Sequence, residues 1–407
     1  MNKGLPFDLD FVKRISKDYP TPFYVYDEKG IDQAAQTIKR AFSWNKNFKN
    51  YFAVKALPNP RILRIVLDQG MGLDCSSLTE LLLAGKTKTS GQAIMFSSND
   101  TAAEDYQKAR ELDAIINLDD ITHLDFLEKV AGLPELLCFR YNPGALVQGN
   151  TIIGHPEEAK FGMTKDQIIE AVNLARQKGV KRFGLHAMVI SNNLDPEVAL
   201  QIVNVLFMLA KEIYEKLQVK LEFINLGGGI GIPYKPQDKD FDIEAFSGGV
   251  KDLLRSTLSY EPAIYMECGR YITGPYGYLV ATVQHIKKTY KTYIGLDASM
   301  HNLMRPGMYG AYHRITVLGK ENATPKKTYD VTGSLCENND KFAIDRALPE
   351  IEIGDIVVIH DAGAHGHAMG FNYNGKLRSA ELLLQNDNSV KLIRRAETAD
   401  DYFATIV

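Results

Sequence analysis

The chain has 407 residues, 45% hydrophobic and 24% charged, with a net charge of −3. That composition fits an ordinary soluble globular protein and gives no basic excess for nucleic acid or an anionic membrane surface. The length exceeds one ordinary core, so two domains are expected. Met1–Pro6 carries no apolar run of signal-peptide kind, and no stretch approaches the roughly 18 apolar residues of a membrane span. Cys75, Cys138, Cys268 and Cys336 are scattered without CxxC spacing. Neither a zinc site nor a disulfide framework is expected, and reduced thiols place the protein in the cytoplasm.

In chain order, Phe23–Tyr26 reads as a strand and Ile31–Phe48 as an amphipathic helix. Eight short apolar runs follow: Tyr51–Val54, Gly72–Asp74, Ala93–Phe96, Ala114–Leu118, Leu136–Arg140, Arg182–Met188, Leu221–Leu226 and Ala263–Glu267. Helix-period segments such as Arg61–Gln69, Ser77–Ala84, Thr101–Leu112 and Pro196–Gln218 lie between them. Such alternation predicts parallel strands joined by right-handed crossovers, and eight units predict a (β/α)8 barrel over residues 31–275. From about Tyr276 the texture turns to alternating and β-branched runs punctuated by turn residues, predicting a mostly-β domain over 276–407. The N-terminal segment 1–30 is expected to lend its strand to that domain.

Polar, reactive residues recur just past the strand ends. Lys55 ends the apolar run Tyr51-Phe-Ala-Val, and Asp74, Ser97, Ser98, Arg140, His186, Gly227–Gly229 and Glu267–Arg270 take corresponding places. A strand-end lysine by itself either snorkels to solvent or acts as a Schiff-base nucleophile. Repetition on one face of a barrel reads as an active site. Gly227–Gly229 and Gly269 let backbone amides approach an anion, in the loops where barrels commonly bind phosphate. A phosphate cradle opposite a lysine implies a phosphorylated aldehyde cofactor, pyridoxal 5'-phosphate, and Glu267 is the carboxylate that keeps its ring nitrogen protonated.

Several longer motifs carry a resemblance: Tyr51–Ala56, Lys160-Phe-Gly162, Asn225–Tyr234, Glu267-Cys-Gly-Arg270, Asp297–Tyr309, Gly333–Asp340 and Asp361–Asn374. Over nearly the whole chain the sequence resembles the fold-type III pyridoxal-phosphate-dependent decarboxylases, and within them the diaminopimelate decarboxylases. The resemblance implies decarboxylation of meso-2,6-diaminopimelate to L-lysine, the last step of lysine biosynthesis, in a homodimer with active sites at the subunit interface. Lys55 would form the Schiff base and Asp74 would lie near it, with Glu267 on the ring nitrogen. Gly228, Gly229, Gly269 and Arg270 would hold the phosphate and the substrate side of the cofactor. Arg270, Arg305 and Tyr309 would bind the distal carboxylate, and Glu337 the distal ammonium. Cys336, from the partner subunit, would be the acid that protonates Cα.

Three positions depart from the family pattern. His186-Ala-Met188 stands where relatives have His-x-His, leaving either Met188 or a shifted His186 at the cofactor ring; Met188 is the favoured replacement. His365 replaces a phosphate-binding tyrosine, with Tyr373 nearby in sequence, and Cys268 replaces a proline. His365-Gly-His367 has no third ligand in view, so no metal is expected. Alternative functions are decarboxylation of another diamino acid (carboxynorspermidine, ornithine or arginine type) or a non-catalytic regulatory relative. Retention of Lys55 and Cys336 argues against the last.

Overall fold

The computed structural model describes residues 4–147 and 155–407. Met1–Lys3, at the head of the stretch read above as free of a leader, lie outside the described residues. Two compact units form: Met1–Ile31 with Tyr234–Asp238 and Thr273–Val407, and Asp32–Pro233 with Lys239–Ile272. The first strand, β1 (Phe23–Asp27), belongs to the former. Among the described residues no helix is long and apolar enough to cross a membrane.

The second unit is a closed barrel of eight parallel strands: β2 (Lys49–Ala53), β3 (Gly72–Cys75), β4 (Ile94–Ser97), β5 (Ile115–Leu118), β6 (Leu136–Arg140), β7 (Arg182–His186), β8 (Phe223–Asn225) and β9 (Ala263–Met266). Their near-continuous apolar character follows from burial on both faces, by the barrel interior and by the surrounding helices. Several helices begin where a side chain satisfies their free amides. Asn59 accepts from the Arg61 amide at 3.0 Å with Pro60 at the first helical position. Thr164 and Gln167 form a reciprocal capping box for Lys165–Gln177. The lower barrel is filled by Tyr51, Met95, Ile115, Leu136, Cys138, Phe223, Ala263 and Tyr265. Phe223 and Tyr265 stack with ring centroids 4.5 Å apart.

The first unit is built on a nine-stranded sheet ordered β14-β13-β11-β10-β1-β16-β17, with β15 pairing β10 and β12. Its later strands are β10 (Gly277–Lys288), β11 (Thr292–Leu296), β12 (Ile315–Val317), β13 (Lys327–Thr332), β14 (Lys341–Leu348), β15 (Ile356–Ile359), β16 (Ala380–Leu384) and β17 (Val390–Arg394). The N-terminal strand joins this sheet at its centre: β1 runs antiparallel to β10 and parallel to β16. Phe23 and Val25 point into a core with Tyr278, Val280, Val358 and Leu382. The opposite face of β1 carries Tyr24 and Tyr26, fully buried with their hydroxyls donating to the Asn302 carbonyl and to Glu381.

Two readings of the sequence need correction. The helix predicted to Phe48 is Glu28–Ala41. Phe42 and Phe48 stack at 4.5 Å beyond its end, so the apolar pattern continues without helical backbone. Strand β14 was not foreseen, because Asp345 at φ +48° and the irregular register with β13 break its alternation.

Candidate active site

Alternate strands of a barrel contribute side chains to a common interior layer, which branched aliphatics normally fill. Here β3, β5, β7 and the residue after β9 supply Asp74, Asn117, His186 and Glu267, all 8% exposed or less. Burying four polar side chains costs several kcal/mol unless they are paired. Three of them are: Asn117 Nδ2 lies 3.0 Å from His186 Nδ1, and His186 Nε2 lies 3.2 Å from Glu267 Oε2. Asn225, at the end of β8, donates to Glu267 Oε1 at 2.8 Å.

Lys55 sits one residue into a 3-10 turn, Val54–Ala56, that directly follows β2. Val54 and Ala56 are buried and Lys55 is exposed, so the turn is anchored on both sides of the lysine. Its ammonium acts by charge on three carboxyls: Asp74, Glu80 and Glu267. Glu80 Oε2 accepts from the Ser76 amide at 2.7 Å and the Ser76 hydroxyl at 2.9 Å.

Burial pushes both central carboxyls up, and their partners then separate them. Burial raises Asp74, and the Glu267 charge raises it further, so its proton is held well above the usual carboxylate range. Burial also opposes ionisation of Glu267. There the hydrogen bonds from His186 and Asn225, with the Lys55 charge, outweigh it and hold the carboxyl below its ordinary range. Carboxyl groups pushed apart in this way are the mark of a site that assigns them separate roles.

The Asp74 shift has a measurable consequence. Unfolded Asp74 ionises near pH 3.9. Its folded value is raised, so its contribution to stability is fully present below that pH and is lost as pH rises toward the folded value. Asp74→Asn removes this loss. The apoprotein variant is expected to melt about one to a few degrees higher than wild type at neutral pH, with the difference vanishing near pH 4. Thermal unfolding across pH checks it, and an equal difference at both ends contradicts it.

The glycine loop after β8 is packed tightly against its neighbours. A Cβ on Gly228 would lie 2.7 Å from the Glu267 carbonyl oxygen, and Gly229 has φ +89°. The Gly228 amide donates to Met188 Sδ at 3.2 Å. Gly269 presses on the lysine turn, where a Cβ would lie 2.8 Å from Ala56 Cβ. Asn50 clamps the same loop, accepting from the Cys268 amide at 2.9 Å and donating to its carbonyl at 3.2 Å. Met188 is thus engaged with the glycine loop and His186 with Glu267.

Further around the mouth, Arg140 donates to Asp119 at 3.0 Å with its guanidinium 4.5 Å over the Phe161 ring. The Gly162 amide donates to the other Asp119 oxygen at 3.2 Å, so the Lys160-Phe-Gly162 motif is tied to the strand ends. Burial pushes the thiols of Cys75, Cys138 and Cys268 up, which keeps them protonated and inert.

The residues are suited to hold pyridoxal phosphate. An ionised buried carboxylate is available for the ring nitrogen, a lysine acts on it by charge, and the glycine loop leaves its backbone bare for close approach of an anion. Asp74 Oδ1 and Asn117 Oδ1 are buried without partners among the described residues. Among these residues no cluster of His, Cys, Asp and Glu could hold a metal ion.

The other sequence-predicted residues lie in the first unit. Arg305, 6% exposed, opens the short helix Arg305–Tyr309, its guanidinium 4.5 Å over the Tyr234 ring. Arg305 Nη1 lies 3.1 Å from His313 Nε2, and His313 Nδ1 lies 2.8 Å from the His360 carbonyl, to which it donates. Tyr309 and Tyr373 are half exposed. Cys336 and Glu337 are exposed on a turn shaped by Asp340, which accepts from the Met300 amide at 2.6 Å and the Leu335 amide at 2.8 Å. The Cys336 amide donates to Asn374 at 2.7 Å. His365 is partly buried in a turn at φ +55°. Sequence reasoning missed Asn50, Glu80 and Asn117. The only signal for Asn117 was one polar residue inside Ala114–Leu118.

Residues 29–274 match the family model described as pyridoxal-dependent decarboxylase, pyridoxal binding domain. The chain is 42% identical over 410 residues, 99% of this chain and 96% of the relative, to Protein TabA of Pseudomonas amygdali pv. tabaci. It is 35% identical to the diaminopimelate decarboxylase of Methanothermobacter thermautotrophicus, covering 95% of this chain and 92% of that one. The crystal structure of diaminopimelate decarboxylase from Helicobacter pylori complexed with L-lysine superposes with a TM-score of 0.89 at 29% identity, covering 96% and 98% of the two chains.

Proposed function

This chain belongs to the pyridoxal-dependent decarboxylases, and from that premise we propose that it converts meso-2,6-diaminopimelate to L-lysine and CO2. The observation that carries the reading is Glu267: a buried carboxylate held ionised by His186 and Asn225, with Lys55 acting on it by charge. Relatives named diaminopimelate decarboxylase, and one solved with L-lysine bound, support the substrate.

In this reading Lys55 would hold the cofactor, Glu267 would face its ring nitrogen, and Gly228, Gly229, Gly269 and Arg270 would hold its phosphate end. Met188 would border it. Bound there, pyridoxal phosphate supplies the electron sink for the pair left when the α-carboxylate departs as CO2. Glu267 stays ionised throughout and keeps that sink effective. Arg305 and Tyr309 would fix the distal carboxylate, for which a guanidinium offers matched paired donors. Glu337 takes the distal ammonium. Cys336 delivers one proton to Cα, replacing the lost carboxyl. Exposed Cys336, Glu337 and Tyr309 support their supply by a second copy of the chain, making the working unit a homodimer. Four free cysteines support a cytoplasmic setting.

A second reading, decarboxylation of a different diamino acid, is favoured by the 42% identity to a relative that carries another name and by His365 in place of the family tyrosine. Comparing turnover of meso-diaminopimelate and ornithine separates the two. Arg305→Lys keeps the charge but loses the paired geometry. It is expected to raise KM for meso-diaminopimelate about tenfold or more and to leave slow ornithine turnover unchanged. Equal effects on both substrates would show that Arg305 does not read the distal carboxylate.

A further inference from the structure

One member of the polar layer has no part in the reaction as drawn. Asn117 on β5 is 3% exposed, and its amide nitrogen lies 3.0 Å from His186 Nδ1 and 3.1 Å from Ser97 Oγ. We propose that Asn117 is a positioning residue that sets the tautomer of His186 and through it the charge and aim of Glu267. This rests on the role given to Glu267 above.

A neutral imidazole has one donor and one acceptor nitrogen. With the Asn117 amide donating to Nδ1, the ring proton must sit on Nε2, which lies 3.2 Å from Glu267 Oε2. An ionised carboxylate only accepts, so the pairing is consistent along its whole length: Asn117 to His186 to Glu267, with Asn225 donating to the other oxygen at 2.8 Å. A neutral donor aims the carboxylate while leaving its negative charge for the cofactor's ring nitrogen. An imidazolium in the same place would cancel that charge. It would also require the opposite amide orientation, with the Asn117 oxygen accepting from Nδ1.

The charged neighbours do not supply this control themselves. Arg140, the register partner of His186 on β6, is engaged with Asp119 at 3.0 Å. Asp74 on β3 and Lys55 after β2 interact with Glu267 by charge, as does the Cys138 thiol on β6. Only Asn117 and Glu267 meet the ring nitrogens of His186 among the described residues.

The test uses holoenzyme of wild type, His186→Leu, His186→Gln and Asn117→Leu. Cofactor affinity and the cofactor absorbance spectrum are followed across the imidazole range, about pH 5 to 9, alongside kcat and KM. His186→Leu and Asn117→Leu are expected to lower kcat about ten- to a hundredfold, the span of one lost charge-assisted hydrogen bond, with KM nearly unchanged. Asn117→Leu is also expected to shift the cofactor absorbance spectrum away from that of wild type. Glutamine at 186 can accept from Asn117 and donate to Glu267. His186→Gln should therefore restore kcat and cofactor affinity to within about threefold of wild type. The proposal is overturned if His186→Gln falls as far as His186→Leu, because a cationic ring is then what Glu267 needs. It is also overturned if Asn117→Leu keeps the wild-type spectrum and kcat. Should Asn117→Leu not fold, the two His186 variants decide it. Affinity and spectra need only pyridoxal phosphate, so failure of the substrate reading leaves this test intact.

Discussion

Lys55→Ala is expected to lower decarboxylation by roughly four orders of magnitude, as deletion of a covalent nucleophile commonly does, while the protein stays folded. Both halves of this expectation come from the turn that carries the lysine. Val54 and Ala56 are buried and anchor it, whereas Lys55 is exposed and contributes no packing. Its removal leaves the barrel interior untouched and takes away an amine that acts by charge on Asp74, Glu80 and Glu267 together. Borohydride reduction followed by peptide mass mapping gives the direct check: the cofactor mass should appear on the Lys55 peptide of wild type and be absent from the variant. Turnover within tenfold of wild type would remove Lys55 from the chemistry.

The second large effect is expected at Cys336. Cys336→Ala should cost about a hundred- to a thousandfold in turnover, the range of a missing general acid. Its place on an exposed turn, with its amide fixed by Asn374, presents the thiol outward without disturbing the sheet. If Cys336 serves the barrel of a second copy, mixing Lys55→Ala with Cys336→Ala subunits rebuilds one complete site in each mixed dimer. Random exchange of equal amounts should then recover about a quarter of wild-type activity. Absence of recovery after exchange has been verified by mass would show that each site is built from a single chain.

The barrel strands were legible because burial on both faces leaves near-continuous apolar runs, and each run lies within a few residues of a strand. The N-terminal strand was legible for the same reason, with Phe23–Tyr26 fully buried at the centre of its sheet. Lys55, Asp74, Arg140 and Glu267 stood out in the sequence by their position at strand ends, whereas Glu80, on the helix after β3, did not. Nor did the asparagines. Asn50, Asn117 and Asn225 carry no charge and sit beside or within strands, yet between them they bind Cys268, His186, Ser97 and Glu267. Their roles depend on which strands become neighbours in the closed barrel, and a single sequence does not state that pairing. The engagement of Met188 with the Gly228 amide was hidden likewise, because it joins loops 40 residues apart.

Quantifying CO2 and lysine released from meso-diaminopimelate by the pyridoxal-phosphate-loaded wild-type protein tests the central claim most directly. Sustained turnover is expected, with CO2 and lysine formed in equal amounts and no release from Lys55→Ala. Cofactor bound with no CO2 from meso-diaminopimelate, while another diamino acid is turned over, would contradict the substrate assignment. Failure to bind pyridoxal phosphate at all would contradict the assignment of the barrel mouth as its site.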